Sequence, residues 1–166
     1  MSAVPRFDTA TREVPHFFGR TDHKSFSIVH WPGRPVDAGV VVCPPLGYEL
    51  VSAHHGLREL GVRLSERGYP VIRFDYAGTG NSIGDPPDTD PVECWLETIR
   101  SAVEVLRSAG VKRIVIVGLR FGATLAAREI ESLDDVVGLV LWDPVLSGRR
   151  YVRSLQLLSA ASADST

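Results

Sequence analysis

This 166-residue sequence is poor in cysteine, in net charge and in long apolar runs. Its two cysteines, Cys43 and Cys94, stand far apart in apolar surroundings, which excludes a disulfide framework or a cysteine-based metal cluster and suits a reducing, cytoplasmic setting. A net charge of −2 leaves no basic surface for nucleic acid or an anionic membrane, so neither is expected as a partner. No stretch approaches the roughly 20 apolar residues of a membrane span. The first 20 residues carry charges throughout, and no signal peptide is expected. There is no internal repeat. The turn at residues 75–82 lacks the lysine of a phosphate-binding loop, and its glycines are wrongly spaced for a dinucleotide site. The His54-His55 pair has no Cys, Asp or Glu set at ligand spacing around it, so neither a metal nor another cofactor is expected.

What is present suits one globular domain over residues 1–166, with a hydrophobic fraction of 44% and a charged fraction of 23%. Residues 1–15 read as a loose arm and residues 159–166 as a fraying tail. Between them, short apolar strands alternate with amphipathic helices. Strands are expected at 16–19, 25–31, 39–43, 70–74, 113–117 and 136–142. Helices are expected at 52–67, 91–109 and 148–158, with Gly68 and Gly110 as stops and Pro91 as a start. Residues 46–49 read as loop. The alternation gives an α/β class: a mostly parallel sheet of about six strands with helices on both faces. Ligands in such sheets gather beyond the carboxyl ends of the strands.

The most informative stretch is residues 113–127. Arg113 to Val117 has the β-branched composition of a strand covered on both faces. Gly118 and Gly122 bracket a sharp turn whose crowded backbone leaves no room for a Cβ, and small residues then let a helix lie close to the sheet. The layout matches the nucleophile elbow G-x-S-x-G, but its central position holds Arg120. Two further turns stand at matching distances: Pro44-Pro45-Leu46-Gly47 after the third strand and Asp75-Tyr76-Ala77-Gly78-Thr79-Gly80-Asn81-Ser82 after the fourth. Together the three resemble the α/β-hydrolase superfamily. The wording PPLGYE, GLRFGA and WDP looks closer to hydrolase-like proteins with arginine at the elbow, some of them named exosortase-associated hydrolases.

The resemblance implies a truncated α/β-hydrolase fold, because the chain stops soon after the sixth strand. It also implies chemistry on an acyl compound (ester, thioester or amide) or a carboxylate-bearing small molecule. In the family, backbone N–H groups after the nucleophile and in the loop after the third strand hold an oxyanion; here these fall at Phe121 and at Leu46 or Gly47. Arg120 cannot serve as nucleophile, since its guanidinium stays protonated. It can clamp an anionic ligand at a helix N-terminus, or bridge internally to Asp75, Asp143 or Glu49. Asp143 can be the catalytic acid or a strand terminator and helix cap. His54 can be a base or part of a solvated first turn. Cys43 reads as core, because burial suppresses a thiol.

Without a serine and without the segment that usually supplies histidine, Ser-His-Asp hydrolysis is expected to be absent. The alternative is a non-catalytic binding or assembly module. The strand at Val136–Trp142 then offers an apolar edge to a second copy or another chain, helped by Tyr151, Val152, Leu155, Leu157 and Leu158.

Overall fold

The computed structural model describes residues 12–21, 23–84 and 90–163. In chain order these form β1 (Arg12–Gly19), β2 (Lys24–Trp31), β3 (Ala38–Cys43), α1 (Tyr48–Glu66), β4 (Val71–Phe74), α2 (Pro91–Ser108), β5 (Arg113–Leu119), α3 (Phe121–Glu129), β6 (Val136–Trp142) and α4 (Gly148–Ala163), with a 3-10 turn at Ile130–Ser132 after α3. One six-stranded sheet runs β1-β2-β4-β3-β5-β6. β3 is parallel to β4 and β5, and β5 to β6; β1 and β2 join antiparallel. The expected α/β class and mostly parallel sheet hold.

The core divides along the strands' two-residue period. Val41, Ile72, Ile114 and Ile116 are buried on one face with Ile99, Val103 and Leu106 of α2 and Leu125 of α3. Val40, Val42 and Val71 face the other way and bury Leu57 of α1. Helices therefore cover both faces. A chain of aromatic rings crosses the first face, Phe18–Phe74–Tyr76–Trp95–Phe121–Tyr151, with neighbouring centroids 5.1 to 6.2 Å apart. Such pairs contribute about 1 kcal/mol each beyond buried area, and this chain ties α4 to the opposite edge of the sheet.

Three boundaries differ from the sequence expectation by more than two residues. β1 begins at Arg12, so residues 12–15 are strand rather than arm, paired to β2 along eight residues. Pro15 reads as a loop signal, but an edge strand tolerates it because its missing N–H has no ladder partner to lose. Residues 1–11 lie outside the described residues. α4 continues past Leu158 to Ala163, because small residues such as Ala160 and Ala161 favour helix; the last three positions of the expected tail are outside the description. α1 starts at Tyr48 rather than Ser52, because Gly47 at φ 59° turns the chain directly into the helix. That start places Glu49 on a helix, with consequences for the site.

β6 matches its expected range and pairs with β5 alone among the described residues. Its Val137, Val140, Leu141 and Trp142 side chains are exposed.

Candidate functional site

The carboxyl ends of β3 and β5 meet through glycine. A Cβ on Gly122 would stand 2.2 Å from the Pro44 carbonyl oxygen and 2.3 Å from that of Cys43. A Cβ on Gly118 would stand 2.4 Å from Ala123 Cα. Both contacts are with backbone that cannot yield, so the crowding expected at these two positions is present. It brings the β5–α3 turn against the Pro44–Gly47 loop. The Leu46 and Phe121 side chains pack against the core, and neither backbone N–H is used in a hydrogen bond among the described residues.

Arg120 occupies that turn at φ 54°, ψ −120°, a conformation costly for a residue with a Cβ. The surroundings hold it there. Its N–H donates to the Trp142 carbonyl at 3.0 Å, and its own carbonyl accepts from Ala123 at 3.1 Å and Thr124 at 3.3 Å. Its side chain is spent on two acids. Arg120 Nε donates to Glu49 Oε1 at 2.9 Å and Nη1 to Asp143 Oδ2 at 2.8 Å. Tyr151 donates its hydroxyl to the other Glu49 oxygen at 3.0 Å. The Arg120 guanidinium is held above its ordinary pKa, first by the hydrogen bond to Glu49. Burial, then the bond to Glu49, pushes the Tyr151 phenol up to about 12.

The two bridges differ in strength. Glu49 is 25% exposed and Asp143 70% exposed. An exposed pair is worth well under about 1 kcal/mol, so Glu49 is the firmer partner. Because Glu49 lies in the first turn of α1 and Tyr151 in α4, the cluster joins the loops after β3, β5 and β6 into one clasp.

Other expected participants fall elsewhere. Asp75 does not reach Arg120; its Oδ2 accepts the Asn81 N–H at 2.9 Å and pins its own turn. Asp143 sits at φ 47° at the end of β6 and does not cap α4, whose first turn is met by Ser147 instead: the Tyr151 N–H donates to the Ser147 carbonyl at 3.0 Å. His54 bonds to neither Arg120 nor Asp143. It borders a separate cavity of about 340 Å³ on the α1 side of β4. Cys43 is fully buried, and burial pushes its thiol pKa far up. Among the described residues, no group of three or more His, Cys, Asp or Glu could hold a metal ion, and no helix is long and apolar enough to cross a membrane.

Two groups escaped the sequence reading. Tyr151 was read only as part of an apolar face, and its hydroxyl has no sequence signature. Arg73 was read as one letter of a buried strand; a charge inside an apolar run was the signal that could have found it.

The comparisons agree with this geometry. The profile of the alpha/beta hydrolase family matches residues 28–165. No curated protein matches in sequence. Among solved structures, a proline iminopeptidase of Mycobacterium smegmatis superposes with a TM-score of 0.67 at 21% identity, covering 89% of this chain and 50% of that one. An esterase of Pyrococcus furiosus gives 0.65 at 22%, covering 84% and 56%. An α/β serine hydrolase without a lid from Xanthomonas campestris gives 0.62 at 22%, covering 80% and 61%. This chain thus spans half to three fifths of the length of these neighbours. With most of its length matched by the family profile and its sheet superposing on these enzymes, the chain belongs to the alpha/beta hydrolase family.

Proposed function

We propose that the β5–α3 turn is the family's nucleophile elbow with arginine in the serine's place, and that the protein binds an acyl or carboxylate-bearing small molecule without forming an acyl-enzyme. The observation that carries this reading is the Arg120 clasp. The position from which a nucleophile would attack is filled by a guanidinium already shared between Glu49 and Asp143. Among the described residues no histidine bonds to either acid, and the thiol at the strand ends, Cys43, is fully buried. The backbone donors at Phe121 and Leu46 lie beside an occupied position, so an oxyanion formed there would first have to displace the clasp. The test is turnover of p-nitrophenyl butyrate. The expected rate is that of the buffer; hydrolysis well above it, abolished by Arg120→Ala, would overturn the non-covalent reading and make Arg120 catalytic.

A second reading is favoured by one observation, the four exposed apolar side chains of β6. An edge with unpaired backbone groups and apolar flanks is a template for strand addition. On this reading the strand pairs with a second copy, and light scattering gives a dimer at micromolar concentration. A monomer throughout that range would remove it.

A further inference from the structure

β4 carries a charge where its neighbours are apolar. Arg73 lies between the buried Ile72 and Phe74, and its side chain points to the α1 face. Its Nε donates to His30 Nε2 at 2.9 Å. A ring nitrogen that accepts carries no proton, so His30 is the neutral tautomer with its proton on Nδ1, which is buried without a hydrogen-bond partner, the Glu13 Oε1 standing 3.5 Å away. Burial, reinforced by the Arg73 charge, holds the His30 pKa down at about 4. His30 therefore orients the guanidinium without neutralising it.

No carboxylate among the described residues forms an ion pair with Arg73, and its two terminal nitrogens make no hydrogen bond there. Glu13 and Asp75 act on it only from a distance, and Asp75 is engaged by the Asn81 N–H. Burial pulls the Arg73 pKa below its ordinary value. A partly desolvated cation without a counter-charge is costly, and a ligand that supplies the charge recovers that cost.

Space for such a ligand is present. α1 lies tight on the sheet at Gly61, where a Cβ would stand 2.6 Å from the His30 ring. Toward its N-terminus the helix stands off, leaving the cavity of about 340 Å³ that Arg73 lines. That volume is in the range of small-molecule sites. Its walls are mainly Phe26, Ile28, Val42, Leu50, Leu57 and Phe74, with His54, Asp75 and Asn81 among the polar groups. One fork-shaped cation beside an apolar chamber fits a carboxylate joined to an acyl chain.

We propose that this cavity binds an amphipathic monocarboxylate, its carboxylate on the free edge of Arg73 and its acyl chain along the Phe26–Leu57 walls. The proposal rests on the reading of the protein as a binder of acyl or carboxylate compounds, and places the compound on the α1 side of β4 rather than at Arg120. The experiment is calorimetric titration of the full chain with octanoate and with octanamide, its uncharged counterpart. Octanoate is expected to bind once per chain and at least tenfold more tightly than octanamide, and Arg73→Met is expected to cost at least tenfold in octanoate affinity. Equal affinity for the two compounds, a comparison that needs no variant to fold, would overturn the proposal, as would an absence of octanoate binding. Binding lost in Arg120→Met but kept in Arg73→Met would overturn the placement and leave the carboxylate reading standing. That reading fails separately, through ester turnover.

Discussion

Arg120 and Arg73 stand at the carboxyl ends of β5 and β4, both partly buried, yet the chain meets their charges in opposite ways. Arg120 is answered twice, by Glu49 and Asp143. Arg73 is answered by a neutral imidazole. The first arrangement closes a circuit: three loops are tied together and no charge is left for a ligand. The second leaves the circuit open, with a guanidinium fixed in direction and no ion pair among the described residues. A superfamily resemblance draws the eye to the first arginine, because it stands where a serine is expected. The charge balance points to the second.

The difference can be broken from the Arg73 side first. Gly61→Ala would set a methyl group against the fully buried His30 ring, which cannot swing away without releasing Arg73. Overpacking of this kind outweighs the alanine's helix preference. Denaturant unfolding is expected to show a loss of about 2 kcal/mol, with octanoate binding weakened as well. A change below about 0.5 kcal/mol would mean that α1 is not seated on that pair.

Acid comes next. The His30 pKa is lowered in the folded chain, from 6.5 to about 4. The unfolded chain therefore takes up the proton first, so this contribution to stability is complete above pH 6.5 and is lost as pH falls toward 4. The expected result is a melting temperature that declines across that window and declines less in His30→Gln. Identical profiles for the two proteins would show that His30 is not neutral in the fold.

The smallest effect separates strain from pairing at Arg120. Arg120→Ala keeps a Cβ at φ 54° and loses both bridges; Arg120→Gly loses the same bridges but relieves the backbone. Positive-φ strain costs about 1 kcal/mol or more, so the glycine variant is expected to be about 1 kcal/mol more stable than the alanine variant. Equal stabilities would mean that the turn relaxes when the clasp is cut.

Much of this molecule was legible in its sequence. The range of β6, the helix beginning at Pro91 and the crowding at Gly118 and Gly122 all follow from short-range rules of period, capping and steric room. The partners of Arg120 were narrower than one reading but wider than one residue: Glu49, Asp143 and Asp75 were all candidates. The choice depended on where α1 begins, and that depended on the φ of Gly47, a torsion no composition reports. Asp75 was withdrawn by its own turn, where Asn81 takes its carboxylate. The Arg73–His30 pair was hidden for a different reason. The two residues are 43 positions apart and meet only because β2 and β4 pair antiparallel with Ile28 opposite Arg73. A register of that kind is a tertiary fact.

The central claim is that the β5–α3 turn holds a clasped guanidinium instead of a nucleophile. Intact-protein mass spectrometry after incubation with a serine-directed fluorophosphonate tests it most directly. The account predicts an unchanged mass; a stoichiometric adduct mapping to a residue of that cleft would contradict it.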